Sequence, residues 1–106
     1  MKGKIIEVKK TCPYPGGRCR RDGPGSAEEF RDDVLLPDLK NERLVTLDFS
    51  GIYGVGESFL EELFGGLARI HGYSEQELMA RLNVIADTDT DRSLIINSIK
   101  LYTKRP

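Results

Sequence analysis

Apolar and polar positions change rhythm along this chain in a way that separates strands from helices. Lys4 to Val8 (KIIEV) is a short aliphatic, β-branched run and predicts a strand. In the next stretch, TCPYPGGRCRRDGPG, the residues Pro13, Pro15, Gly16, Gly17, Gly23, Pro24 and Gly25 forbid a continuous helix and predict a loop or loose hairpin. Ser26 then opens a helix: in SAEE the Ser26 hydroxyl can accept from the Glu29 amide while the Glu29 carboxylate reaches back to the Ser26 N–H. Phe30, Val34 and Leu35 fall at helical spacing, Pro37 limits the helix, and Asp38 to Glu42 reads as a polar linker. Leu44 to Phe49 (LVTLDF) is mostly apolar and β-branched, which predicts a strand with both faces covered.

Three glycines in SGIYGVGE make a turn, and Ser58 begins the most regular helix, with SFLE as a second capping box. Phe59, Leu60, Leu63, Phe64, Leu67 and Ile70 form its apolar stripe, and Gly72 is placed to stop it in a left-handed conformation. Gly65 and Gly66 each cost about 1 kcal/mol relative to alanine inside a helix, so the pair predicts close approach to a neighbouring element, here the sheet. Ser74 to Glu77 (SEQE) is a third capping box, leading a short helix with Leu78, Met79 and Leu82 on one side. Asn83 to Ala86 predicts a brief strand. DTDTDR then supplies caps and first-turn acids for a last helix with Leu94, Ile95, Ile99 and Tyr102 inward and Lys100, Lys104 and Arg105 near its C-terminus.

This alternation predicts an α/β fold: parallel strand pairings with right-handed crossovers and helices laid against the sheet. At 106 residues, 39% hydrophobic and 31% charged, the chain is one domain, residues 1–25 giving a strand and a basic loop and 26–106 the alternating core. The absence of a long apolar run points to a cytoplasmic protein. The net charge of −1 exerts no general pull on nucleic acid, but residues 1–21 sum to +6 and the rest to −7. One histidine and two cysteines leave little for proton transfer or metal binding.

The turn Gly51 to Ser58 (GIYGVGES) is where backbone N–H groups and a helix dipole could cradle phosphate. Gly51, Gly56 and Ser58 match a GxxxxGK[ST] loop, but Glu57 occupies the lysine position and would repel phosphate. Asp87 to Asp91 has the alternating carboxylates of a calcium loop, yet Arg92 and Ser98 stand where glycine and glutamate are needed, and helix capping explains the acids. Cys12 and Cys19 could supply half of a zinc site at most and read as free thiols; neither a metal nor a cofactor is expected. Arg18, Arg20 and Arg21 are a solvated charge run or a contact for phosphates or an acidic partner surface. His71 suits a helix C-terminus, and no nucleophile, base and orienting group can be assembled into a catalytic set.

LDFSGIYGVGESFLEELFGGL resembles the central motif of the STAS-like domain family of unknown function, which is distantly similar to the STAS domains of anti-sigma-factor antagonists. In the antagonists the corresponding strand, turn and helix read LDLSG, a few residues, then DSSGL. DGPGSAEEFRDDVLLPDL resembles the family's first crossover helix, and NVIADTDTDRSLIINSIK its last strand and helix. The resemblance implies a small STAS-like fold, a mixed, mostly parallel sheet with helices packed against it, and a non-catalytic regulatory module that binds protein partners, among them histidine-kinase-like ATPases. The antagonists' phosphorylated serine falls on Ser58, and the aspartate and serine before it fall on Gly56 and Glu57. The implied partner-contact or phospho-acceptor set is Ser58, Asp48 and Glu57, with Gly51, Gly54 and Gly56 as the loop beside it.

Two other readings stay open: a phosphate or nucleotide sensor at the Gly51 to Ser58 turn, and nucleic-acid contact through the basic N-terminal arm. A fold test is independent of all three. Leu63→Ala is expected to cost about 2 to 5 kcal/mol in urea unfolding, the range of a buried leucine; an exposed one would lose far less.

Overall fold

The computed structural model describes residues 3–52 and 54–104; Tyr53 of the glycine turn and Arg105 lie outside them. Strand β1 (Lys4–Glu7) is followed at once by a single helical turn, α1 (Val8–Thr11). Strands β2 (Val45–Asp48) and β3 (Leu82–Ile85) complete a sheet of order β1-β2-β3 in which both pairings are parallel. Two right-handed crossovers that step in the same direction put both connections on one face. Burial agrees: Ile6, Leu47 and Val84 share a row, Val45 and Leu82 the next, and all five are buried. On the opposite face Ile5 is 62% and Ile85 38% exposed and Asn83 lies open, so only one side of the sheet carries helices. The expectation that both faces are covered is corrected. Thr46, flanked by Ile5 and Asn83, supplied the β-branched residue that made LVTLDF resemble a fully enclosed strand.

The first crossover helix, α2, runs over 27–41: Ala27–Glu29, a π-helical stretch Phe30–Leu35, then Leu36–Asn41. Ser26 caps it by accepting from the Glu29 N–H at 3.1 Å, while the Glu29 carboxylate accepts from Gly25 N–H rather than from Ser26. Pro37 does not end the helix. The wide π turn closes with the Leu36 N–H on the Arg31 carbonyl, which places Pro37 in the opening turn of the next α segment, where proline is tolerated. The expected linker at Asp38 to Glu42 is therefore mostly helix.

Helix α3 covers 57–69, with a second π-helical stretch, Glu61–Gly65, between Glu57–Leu60 and Gly66–Arg69. Phe59, Leu60, Leu63, Phe64, Leu67 and Ala68 are all buried, with Phe59 against Phe30 at 6.3 Å between ring centroids. Ile70 is the exception to the predicted stripe at 61% exposed, because Gly72, at φ +78°, already turns the chain away and Tyr73 N–H bonds back to the Leu67 carbonyl. Helix α4 (Glu75–Arg81), capped by Ser74, buries Leu78 but leaves Met79 on its rim. Helix α5 (Asp89–Tyr102) is capped by the Thr88 hydroxyl, buries Ile95 and Ile99, and leaves Leu94 53% exposed, contrary to its expected inward position.

Gly65 and Gly66 do allow a close approach, but to arginines rather than to the sheet. A Cβ on Gly66 would stand 2.9 Å from Cζ and 3.2 Å from Cδ of Arg31, whose side chain is 3% exposed. The Arg31 guanidinium donates to Asp32 Oδ1 at 2.8 Å, to Glu62 Oε2 at 2.7 Å and to the Glu62 carbonyl at 3.0 Å. That carbonyl lies in the irregular π stretch, where it also shares the Gly66 N–H with Leu63. Arg18 and Arg69 bind Glu61 and approach Glu62 at 3.6 and 3.7 Å, and His71 Nε2 lies 3.3 Å from Asp32 Oδ1.

Two consequences can be measured. Gly66→Ala gains about 1 kcal/mol of helix propensity but must displace a buried cation from its partners, so a net loss of about 1 to 3 kcal/mol is expected. At Gly65 the added Cβ meets the half-exposed end of Arg69, which can swing away, so Gly65→Ala should be neutral or stabilising in the same unfolding assay. Burial alone would raise Asp32, but hydrogen bonds and charge from Arg31 and His71 outweigh it and hold it below the ordinary value; the hydrogen bond from Arg18, then Arg69, does the same for Glu61 against burial. Depressed carboxylates contribute stability above their unfolded values near 4 and lose it as pH falls through their lower folded values. The urea midpoint should change little on account of these groups between about pH 7 and 5 and drop below about pH 4.

Candidate functional site

The turn between β2 and α3 is built by ties at three points. Asp48 ends β2 with its Oδ1 accepting from Ser50 N–H at 2.9 Å, and its carboxyl is held below the usual range by the Ser50 hydroxyl and N–H, with help from the Lys9 cation. Phe49 continues the sheet direction by donating to the Ile85 carbonyl at 2.8 Å and is buried. Gly51 takes φ +78°, which an L side chain resists, and its N–H donates to Asp87 Oδ2 at 3.0 Å. A Cβ there would also meet Lys9, with Nζ at 2.9 Å. Gly54 is again left-handed at φ +91°, and Gly56 N–H donates to the Pro15 carbonyl at 3.0 Å.

Gly56, not Ser58, is the N-cap of α3, and it caps without a side chain. The SFLE capping box does not form, because the N-cap lies two residues earlier, at Gly56, and the helix begins at Glu57. Ser58 thus occupies the first turn, exposed, with no side-chain hydrogen bond among the described residues. Glu57 is exposed beside it. From Phe59 to Ala68 α3 is buried or half-buried, so at this end of the helix the exposed side expected to accompany the turn shrinks to Glu57 and Ser58, with Arg69 exposed at the far end. Below the turn a cavity of about 170 Å³ is lined by Phe49, Ile52, Val55, Ala86 and Asp91, among others. On the far side of Glu57 lies a broader groove of about 790 Å³ between α3 and α5.

The structure therefore brings Ser58, Glu57, Gly51, Gly54 and Gly56 to one end of the molecule, with Asp48 where the turn begins. The three arginines are elsewhere. Arg18 is bound to Glu61; Arg20 makes a bidentate pair with Asp33 at 3.0 and 2.9 Å; Arg21 is exposed beside Asp22. Much of the basic character of the N-terminal loop is thereby matched by carboxylates of α2 and α3. The loop is a strap rather than a hairpin, broken only by a 3-10 turn at Arg20–Asp22, and it bonds to α2 through Ala27 N–H to Gly17 O and Glu28 N–H to Arg18 O.

Cys12 is buried, and its thiol is pushed up to about 11 by burial and then by the nearby Glu29 charge, which makes it a poor thiolate and a poor zinc ligand. Cys19 is also a free thiol, and no group of three or more histidine, cysteine or carboxylate residues that could hold a metal occurs among the described residues. In the aspartate run, Asp87 ties down Gly51 and Thr88 caps α5.

Sequence reasoning passed over Arg31, the pairing of Glu62 with it, and Lys9. An arginine beside Phe30 on a helix paired with a glycine doublet on another is a faint signal of the first two, since glycine leaves room for a guanidinium as readily as for a sheet. Lys9 carried none, because its approach to the turn depends on how β1 and β2 pair.

The family model for the STAS-like domain of unknown function (DUF4325) matches residues 26–92, well over half of the chain. Neither the curated proteins nor the solved structures provide a match. The match runs from the cap of α2 through the glycine turn and all of α3 to the first turn of α5, the same strand, turn and helix whose geometry is described above. This chain belongs to the family of STAS-like domains of unknown function.

Proposed function

We propose that this domain is a non-catalytic regulatory module that offers the Gly51 to Ser58 turn to a protein partner, with the Ser58 hydroxyl as the group a partner kinase modifies. The observation that carries the reading is the position of Ser58: exposed in the first turn of α3, with the capping role taken by Gly56. A change at that hydroxyl therefore leaves the helix start intact. A phosphate there would lie at the positive end of the helix dipole. Glu61 and Glu62, one turn further on, would repel it, but both are engaged by arginines, which offsets their charge. Asp48, Glu57 and His71, the groups a catalyst would have to combine, are separately occupied: Asp48 with Ser50, His71 with Asp32, Glu57 in solvent. The carboxylates of Asp48, Asp87 and Glu57 around the turn also weigh against a nucleotide site. Among the described residues no helix is long and apolar enough to cross a membrane.

Two measurements test this. Protein isolated from its native cell should carry phosphate on Ser58 by mass spectrometry; phosphate only elsewhere, or none, overturns the switch. Immobilised domain should capture a partner that a Glu57→Arg, Ser58→Arg double variant fails to retain, while titration with ATP or GTP gives no heat. Equal capture by both proteins would remove the turn from the interface.

A further inference from the structure

Helix α5 has a second apolar line that its own fold leaves uncovered. Its inner side is accounted for by Ile95, Ser98 and Ile99, which are buried. On the outer side Thr90, Leu94, Asn97 and Leu101 follow one another at steps of four, three and four residues, the alternation that keeps one line of a helix facing another helix. Leu94 and Leu101 are 53% and 61% exposed, and both line the groove of about 790 Å³ whose opposite wall includes Leu60. Charge is unevenly placed on this helix: Asp87, Asp89 and Asp91 surround its N-terminus and outnumber Arg92, whose guanidinium donates to the Val84 carbonyl at 2.9 Å, while Lys100 stands in its last turn and Lys104 just beyond, all exposed. Leu94 and Leu101 lie beyond residue 92, outside the stretch matched by the family.

We propose that a second copy of this chain docks on this line, with the two α5 helices antiparallel about a two-fold axis beside Asn97. Leu94 then packs against Leu101 of the second copy, and the reciprocal contact follows from symmetry. Asn97 meets its own equivalent, and an amide, being both donor and acceptor, can pair with an identical one. A polar residue in an apolar seam also penalises shifted registers, which would leave it facing leucine. The acidic end of each helix falls beside Lys100 and Lys104 of the other, whereas a parallel arrangement would set aspartates against aspartates. The self-matching of this pattern, leucines on either side of one asparagine and opposite charge at opposite ends, is what selects a copy of the same chain as the occupant. The inference does not rest on Ser58.

Sedimentation equilibrium of the intact chain between about 1 and 500 µM tests it and should give twice the mass of one chain at the upper end, dissociating on dilution. Leu101→Asp, a change at an exposed position, should weaken association roughly 100-fold with an unchanged circular dichroism spectrum. Direction is read in a Cys19→Ser background: a Leu94→Cys chain mixed with a Leu101→Cys chain should form the mixed disulfide, while Leu94→Cys alone should not, since like positions are too far apart to bridge in the antiparallel pair. A monomer at every concentration, a dimer indifferent to Leu101→Asp, or preferential self-cross-linking of Leu94→Cys would each overturn the proposal.

Discussion

The buried guanidinium of Arg31 constrains the arrangement of the two main helices more than any other single group. A cation taken out of water is tolerable only if its donors are met, and here Asp32, the Glu62 carboxylate and the Glu62 carbonyl meet them together. This fixes α2 against α3 at one point along each. It also accounts for the missing side chain at Gly66, which leaves the space through which the guanidinium lies. Removing any one of these partners leaves a buried charge short of bonds, so the cluster acts as one unit.

From that anchor the consequences run outward in both directions along α3. Towards its C-terminus, Arg69 and His71 join the same acids, and the strap of residues before α2 is drawn in through Arg18. Towards its N-terminus, the apolar residues from Phe59 onward are enclosed against α2 and α5, which leaves the opening turn in solvent at that end. That opening turn is in turn held by Asp48, Asp87 and the Pro15 carbonyl. The exposed hydroxyl of Ser58 thus stands on a platform tied from several sides.

The local signals were legible wherever a residue acts on its sequence neighbours. Ser26 and Ser74 cap their helices by accepting from the N–H three residues on, and Gly72 ends α3 in a left-handed conformation, as their positions predict. Misreadings arose where two local signals competed. SFLE has the composition of a capping box, but Gly56, bonded to Pro15 from a distant loop, starts the helix two residues sooner. Pro37 ordinarily stops a helix, but the π turn before it changes the hydrogen-bond register it meets.

Sequence alone determined the order of the three strands and the longer helices, the α/β class, the glycine turn and the family motif around it, because periodicity, capping and glycine's freedom at positive φ act over a few residues; it did not show the helical turn α1 or that every pairing among the described strands is parallel. The tertiary structure decided which sheet face stays open, which side of α3 remains in solvent, and what the glycine doublet accommodates. Those outcomes depend on contacts between segments dozens of residues apart, such as Arg31 with Glu62 and Gly51 with Asp87, and such contacts leave no periodic trace in either partner.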